Sequence, residues 1–130
     1  MSRVLIIDDE PAVRAVLQLM LHGHGHEVWT ASTGQEGVHC ASAEDPDVIV
    51  CDLFMPGKNG VETIRELRRD FPDIRVIAMS GGGQHGQTDL LRVARGLGIA
   101  AVLLKPFCMA DVSNVMRAAL NSTRHSTARG

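Results

Sequence analysis

Two adjacent carboxylates, Asp8 and Asp9, stand where an apolar run of the chain ends. The run is Val4-Leu5-Ile6-Ile7, and the acids are followed by Glu10 and Pro11. Two neighbouring like charges at the end of a buried strand repel each other, and a divalent cation bound by carboxylate oxygens is an economical way to compensate them. The pair therefore predicts a cation site at one edge of a sheet.

Three further polar residues also close apolar runs: Asp52, Ser80 and Lys105. In a parallel sheet all the carboxyl ends share one edge, and ligands bind there beside the point where the strand order reverses. With the strand order 2-1-3-4-5, that point lies between the first and third strands. The sequence thus predicts that the Asp8/Asp9 pair, Asp52, Ser80 and Lys105 converge on one site.

These residue types suit phosphoryl chemistry. Asp9 and Asp52, helped by Asp8 through water, can hold Mg²⁺, which takes one or two protein carboxylates and keeps several waters. An aspartate oxygen can accept a phosphoryl group to form an acyl phosphate, and Asp52 is the central candidate for that nucleophile. Lys105 and the Ser80 hydroxyl would then contact phosphoryl oxygens.

Each of these residues also has an ordinary structural interpretation. Asp8 and Asp9 could cap a helix that begins at Pro11, and Asp52 could begin a turn before Met55-Pro56-Gly57. Ser80 could be a loop residue, and Lys105 could be solvated. All four together would require a coincidence of position as well as of type, since charges seldom cluster at the edge of an apolar sheet.

The elements that must position these residues are five alternating strands and helices. Short apolar runs predict strands at 4–7, 27–31, 48–51, 75–79 and 101–104, the second being mixed enough to be an edge strand. Helical periods lie between them, with the first helix starting at Pro11 and stopping before Gly23, and the weakest at 34–42. The predicted fold class is therefore α/β, a doubly wound five-stranded parallel sheet with five helices.

Two helical faces are predicted in residue detail. The first helix should bury the set that recurs at helical spacing: Val13, Val16, Leu17, Met20 and Leu21. The third should bury Val61, Ile64 and Leu67 and turn its arginines outward: Arg65, Arg68 and Arg69.

The composition bounds the class of protein. A chain of 130 residues with 45% hydrophobic content is one domain with a substantial core, expected over 1–121, and 122–130 reads as a flexible tail or the start of a linker. The formal net charge of −2 offers no basic patch for nucleic acid or an anionic membrane. Without a long apolar span or a signal peptide, the protein is expected to be cytoplasmic.

Three other patterns are weaker. Cys40, Cys51 and Cys108 fit neither a disulfide framework nor a zinc site, so they are expected to be reduced thiols, with Cys51 in the core. The glycine-rich segment 81–86 fits a dinucleotide fingerprint but lacks the acidic residue expected about twenty positions on. The histidines of the segment 22–26 resemble a metal-binding tract, but they join a helix to a strand opposite the acidic edge, where glycine is expected as a helix stop and any metal capture would be adventitious.

The spaced motifs resemble a known family, the response-regulator receiver domain of two-component signalling. They are Ile7-Asp8-Asp9-Glu10-Pro11, the run from Pro46 to Pro56 around Asp52 with Asn59-Gly60, Ser80, and Leu104-Lys105-Pro106-Phe107. The resemblance covers residues 3 to about 120 and implies a flavodoxin-like fold with Asp52 phosphorylated by a histidine kinase or histidine phosphotransfer protein. It also implies direct Mg²⁺ contacts from Asp9, Asp52 and the backbone carbonyl of Phe54, and a cis peptide at Lys105-Pro106.

The function expected from this resemblance is a phosphorelay switch that catalyses only its own phosphoryl transfer and dephosphorylation. Phosphorylation would switch contacts with an unknown downstream protein, and a homodimer through helix 4, strand 5 and helix 5 is compatible with the sequence. One departure is Val102, which stands where the family usually has an aromatic residue that couples to the hydroxyl residue.

Two alternatives stay open at this point. One is a binding module with the same fold that is not phosphorylated, which Val102 makes plausible. The other is an aspartyl-phosphate hydrolase of the haloacid-dehalogenase kind, although such enzymes carry Asp-x-Asp after the first strand and a cap domain. Here Asp8 and Asp9 are adjacent.

Overall fold

The computed structural model describes residues 1–81 and 87–121. The glycine-rich segment 82–86 and residues 122–130 lie outside the described residues. The predicted domain boundary at 121 and the predicted flexibility of the tail therefore stay predictions.

Five parallel strands form one sheet in the order β2-β1-β3-β4-β5, which confirms the predicted topology. Their bounds are β1 Arg3–Ile7, β2 Glu27–Ala31, β3 Val48–Asp52, β4 Arg75–Ser80 and β5 Ala101–Leu104. Three strands gain one residue over the prediction, and β2 is an edge strand as expected. In the register of the sheet, Ile7 pairs with Cys51, Asp52 with Met79 and Ser80 with Leu104, so the strand ends lie side by side.

Five helices cover the two faces of this sheet. Their bounds are α1 Pro11–Gly23, α2 Gly34–Glu44, α3 Gly60–Asp70, α4 Gln87–Gly96 and α5 Met109–Asn121. Apolar residues of α2, α3 and α4 share one buried cluster, whereas those of α1 and α5 share the other. The layering is therefore helix, sheet, helix.

The central strands are apolar on both sides because both sides are covered. In β1, Leu5 and Ile7 belong to the cluster under α2, α3 and α4, whereas Val4 and Ile6 belong to the cluster under α1 and α5. Successive side chains of a strand point to opposite faces, so a doubly covered strand has no position for a polar residue until it ends. The first polar side chains therefore appear at the edge of the sheet.

Local signals fix where the helices begin. Proline occupies the start of α1, where a missing N–H costs nothing. Thr33 accepts a hydrogen bond from the Glu36 N–H at the start of α2. Asn59 and Glu62 form a reciprocal capping box at the start of α3, which sets the direction of the chain leaving β3.

Two predicted helix faces are wrong in detail. Val16 of α1 is 44% exposed, and among the five predicted positions only Leu17 and Leu21 are buried. Val13 and Val16 instead line a cavity together with Pro106 and Phe107. Arg68 of α3 was expected to point into solvent, but it is half-buried and its Nη1 donates to the Ile74 carbonyl at 2.8 Å. Its aliphatic stem can cover apolar surface while the guanidinium binds a free carbonyl.

Within residues 1–81 and 87–121, no helix has both the length and the apolar composition that crossing a bilayer requires.

Gly60 is required by the close approach of α3 to the end of β3. A Cβ at this position would overlap the backbone carbonyl of Asp52, and the Gly60 N–H donates to the Leu53 carbonyl at 3.0 Å. We expect Gly60→Ala to destabilise the protein by about 2 kcal/mol, since backbone rather than a flexible side chain must move. Urea unfolding measures this difference.

Gly96→Ala is the matched control, because Gly96 is a helical glycine whose added Cβ would meet no atom within 4 Å. Alanine there should leave stability unchanged or raise it by up to about 1 kcal/mol. Equal unfolding free energies for the two variants would contradict the role given to Gly60.

Candidate functional site

Asp8 and Asp52 are buried carboxylates at neighbouring strand ends. Asp8 directly follows β1 and is 0% exposed, and Asp52 ends β3 and is 4% exposed, whereas Asp9 is exposed. One carboxylate oxygen from each of the three lies within 4.8 Å of the others. The structure therefore places the three predicted acidic residues together, two inside the protein and one at its surface.

Backbone and side-chain hydrogen bonds hold the loop that carries Asp8. The Glu10 N–H donates to Asp8 Oδ1 at 2.8 Å, and Arg14 Nη1 donates to the Asp8 carbonyl at 2.9 Å. The Asp8 N–H itself donates to the Ala31 carbonyl at 3.1 Å. The N-cap position of α1 belongs to Glu10 and has no side-chain capping bond, so helix capping does not account for the aspartate pair.

Lys105 reaches into this cluster from the end of β5. Its Nζ lies 3.0 Å from Asp8 Oδ2, 3.3 Å from Asp52 Oδ1 and 3.5 Å from Glu10 Oε1. The Lys105 N–H donates to the Ser80 carbonyl at 2.8 Å, and the following Lys105–Pro106 peptide is cis, as the resemblance implied. One ammonium thus faces three carboxylates.

The charges in the cluster shift one another's protonation. Burial, reinforced by the Asp8 charge, raises the pKa of Asp52 to about 6, although Lys105 pulls it down. Burial likewise raises the pKa of Asp8, which its hydrogen bond from Glu10 and the Lys105 ammonium offset only in part. Burial disfavours the charged form of Lys105, but the carboxylates of Asp52 and Asp8 outweigh it and raise the pKa of the ammonium. Negative charge therefore remains in excess.

The donor set fits a hard divalent cation. Asp8 Oδ2 is buried 3.0 Å from the Lys105 ammonium, which also faces Asp52 and Glu10. A buried carboxylate oxygen that shares one ammonium with two other carboxylates is only partly compensated, and buried charge without full compensation is costly. Three carboxylates that converge with such an oxygen are suitable ligands for Mg²⁺.

Ser80 and Phe54 lie at the same edge as the acidic residues. Ser80 ends β4 and is 2% exposed, and it is paired in register with Leu104, the residue before Lys105. Phe54 lies two residues beyond Asp52, and its side chain is 54% exposed.

Val102 lies inside β5 and is paired with Ala78 of β4. Cys51 is buried, as predicted, and burial raises the pKa of its thiol, so it is an unreactive core residue.

Sequence reasoning gave no role in the site to three residues that the structure places there, although two of them, Glu10 and Gly60, stand in the motifs quoted above. Glu10 contacts Lys105, and Arg14 donates a hydrogen bond to the Asp8 carbonyl. Gly60 packs against the Asp52 carbonyl. Glu10 had a usable signal, since it is a third consecutive acid at a strand end. For Gly60, the Asn59-Gly60-x-Glu62 pattern of a helix start offered a signal. The hydrogen bond from Arg14 to the Asp8 carbonyl has no corresponding sequence pattern.

Comparison with known proteins gives one consistent family. Residues 4–117 match the family described as the response regulator receiver domain. Protein PilH of Pseudomonas aeruginosa is 46% identical over 70 residues, a match that covers 54% of this chain and 58% of that protein. The transcriptional regulatory protein PdtaR of Mycobacterium tuberculosis is 36% identical over 129 residues, covering 97% of this chain and 60% of PdtaR. The chain thus spans about three fifths of the length of these relatives.

A solved structure supports the same assignment over the full domain. The response regulator receiver domain protein from Clostridium thermocellum superposes with a TM-score of 0.85 at 31% identity, covering 93% of this chain and 95% of that chain.

Proposed function

Because this chain belongs to the response regulator receiver domain family, we propose that it is a phosphorelay switch whose phosphoacceptor is Asp52. The observation that carries the proposal is the position of Asp52 at the centre of the site. Its Oδ1 is 3.3 Å from the Lys105 ammonium, and its carboxylate shares a cluster with Asp8 and Asp9.

The mechanism follows from what each side chain can do. A carboxylate oxygen of Asp52 forms the new bond to phosphorus, and the donor group leaves from the opposite side. Lys105 is a positive charge next to Asp52 Oδ1 and would stabilise the equatorial oxygens as negative charge spreads over them. Ser80, buried at the adjacent strand end, supplies a hydroxyl donor.

Asp8, Asp9, Asp52 and the backbone carbonyl of Phe54 are the residues that would hold Mg²⁺. The bound cation would neutralise charge on the phosphoryl oxygens and offset the repulsion between the carboxylates. The buried Asp8 Oδ2 supports this assignment, since it shares the single Lys105 ammonium with Asp52 and Glu10.

The partners follow from the family. A histidine kinase or histidine phosphotransfer protein would supply the phosphoryl group, and an unidentified protein would read the phosphorylated state. The chain would catalyse only its own phosphoryl transfer and dephosphorylation. A cytoplasmic location and a homodimer through α4, β5 and α5 stay predictions.

The family match does not favour the two alternatives. The hydrolase alternative requires Asp-x-Asp after the first strand, where the structure has the adjacent pair Asp8 and Asp9. The unphosphorylated binding module would leave the convergence of Asp52, Lys105 and the acidic pair without use.

The test is incubation of the protein with acetyl phosphate and Mg²⁺, with intact mass as the readout. We expect one phosphoryl adduct that accumulates with Mg²⁺ and is absent when EDTA replaces it, because the cation must offset the excess negative charge of the cluster. Thermal unfolding in parallel should show that Mg²⁺ raises the melting temperature, as any ligand of the native state does. A folded protein that acquires no adduct would overturn the proposal.

A further inference from the structure

Glu10 is a fourth carboxylate at the site, and the proposed chemistry gives it no task. Its Oε1 lies 3.5 Å from Lys105 Nζ, and its side chain is 62% exposed, whereas the Lys105 side chain is only 19% exposed. The lysine therefore lies between two buried carboxylates and one at the surface. A phosphodonor that approaches Lys105 from solvent must come close to the Glu10 charge.

The orientation of Glu10 is not explained by helix structure. It occupies the N-cap position of α1, where a side chain normally accepts a hydrogen bond from the first turn, yet it makes no such bond. Its backbone N–H instead donates to Asp8 Oδ1, which fixes the residue beside the cluster, and its carboxylate is directed to Lys105. Glu10 is thus held at the entrance of the site.

We propose that Glu10 is a specificity-determining residue that makes the site discriminate against phosphodonors of higher negative charge. This inference rests on the proposed function, since it concerns transfer to Asp52. The Lys105 ammonium attracts a negatively charged donor, and the Glu10 carboxylate beside it weakens that attraction. The Coulomb repulsion between the Glu10 carboxylate and the donor grows with the net negative charge of the donor. Donors of lower net negative charge, such as phosphoramidate with its protonated nitrogen, are therefore favoured over acyl phosphates.

Two small donors separate these charges. With acetyl phosphate, a dianion, a new P–O bond forms to Asp52 while the P–O bond to acetate breaks and acetate leaves with the electron pair. With phosphoramidate, a monoanion whose nitrogen already carries the proton, the P–N bond breaks and neutral ammonia leaves. Both reactions form the same aspartyl phosphate, so their rates differ through the donor alone.

The experiment compares both donors on wild type and on Glu10→Gln, which keeps a hydrogen-bond acceptor for Lys105 but removes the charge. We expect Glu10→Gln to react about twofold faster with phosphoramidate and about fourfold faster with acetyl phosphate at low salt, because the repulsion removed is about twice as large for the dianion. Both gains should shrink towards unity at high ionic strength, where a charge this exposed is screened.

Two variants separate charge from position. Glu10→Asp keeps the charge on a shorter side chain and should keep most of the wild-type ratio between the donors. Glu44→Gln makes the same change in net charge at the end of α2, where Glu44 lies near Arg3 at the opposite edge of the sheet, and should behave as wild type.

The outcomes also distinguish this inference from the proposed function. If wild type is labelled and Glu10→Gln leaves the ratio between donors unchanged, or changes it independently of salt, the inference is wrong and the proposed function stands. If wild type is labelled by neither donor, the proposed function itself fails.

Discussion

The Asp52→Asn protein is expected to gain no phosphoryl adduct under conditions that label wild type, and to unfold at a higher temperature than wild type in metal-free buffer at pH 7. The first effect follows because an amide oxygen is not the nucleophile that a carboxylate is. The second follows because the substitution removes a buried negative charge that lies beside Asp8.

The stability effect has a defined pH dependence. The pKa of Asp52 is raised to about 6 in the folded protein from 3.8, which means that folding favours its protonated form. Its favourable contribution is therefore fully present below pH 4 and is lost as the pH rises through 6. A shift of about two units corresponds to about 3 kcal/mol, which is an upper bound for the gain in Asp52→Asn at pH 7, because asparagine is a weaker partner for Lys105.

Urea unfolding of both proteins at several pH values between 4 and 8, in EDTA, measures this gain. The advantage of Asp52→Asn should vanish towards pH 4, where wild type binds its proton, and Mg²⁺ should stabilise wild type more than the variant. Asp89→Asn is the control, since Asp89 is an exposed residue of α4 and its loss should change neither labelling nor stability measurably. An Asp52→Asn protein that is less stable than wild type at pH 7 would contradict the excess of charge inferred for the site.

The fold was predictable because a parallel sheet covered by helices on both faces requires strands that are apolar at every position, and such runs are easy to identify in a sequence. The runs before Asp8 and Asp52 are uninterrupted apolar segments, and their lengths set the strand bounds to within one residue. The exposure of Val16 was not predictable in the same way, because helical periodicity identifies an apolar face but not which of its positions other parts of the protein cover.

Some residues of the site were predictable from the strand pattern, and others were not. Asp52, Ser80 and Lys105 were predictable because parallel strands bring their carboxyl ends together whatever the loops do. The contacts of Glu10 and Arg14 depend on the path of the loop between β1 and α1 and on side-chain rotamers, which no periodic pattern encodes. Glu10 was the more consequential omission, since a loop residue at the entrance of a site affects which molecule can approach it.

Replacing Lys105 tests the other half of the charge balance. Lys105→Met keeps a long unbranched side chain but leaves Asp8 and Asp52 without their ammonium. Removing one partner of a buried ion pair is strongly destabilising because it leaves uncompensated charge, and we expect a loss of about 3 kcal/mol at pH 7 without metal. We also expect labelling by acetyl phosphate to slow about 100-fold, since one stabilising contact to the phosphoryl oxygens is lost.

Lys58→Met is the matched control, because Lys58 pairs with Glu66 near the surface and should contribute no more than about 1 kcal/mol. Acid should rescue the stability of Lys105→Met. Lys105 lowers the pKa of Asp52, so without it that pKa lies above 6 and the carboxyl takes up a proton sooner as the pH falls. The deficit relative to wild type should therefore shrink between pH 7 and pH 5, whereas that of Lys58→Met should not.

Adding Mg²⁺ distinguishes the contribution of Lys105 to stability from its contribution to phosphoryl transfer. A cation held by the acidic cluster can compensate Asp8 and Asp52, so saturating Mg²⁺ should recover most of the stability of Lys105→Met in thermal unfolding. Mg²⁺ should not recover the rate of labelling. Without Lys105, no positive charge lies on the side of Asp52 Oδ1 where the ammonium would contact the phosphoryl oxygens. Recovery of both by Mg²⁺ would mean that Lys105 only balances charge, and recovery of neither would mean that the cluster does not bind the cation.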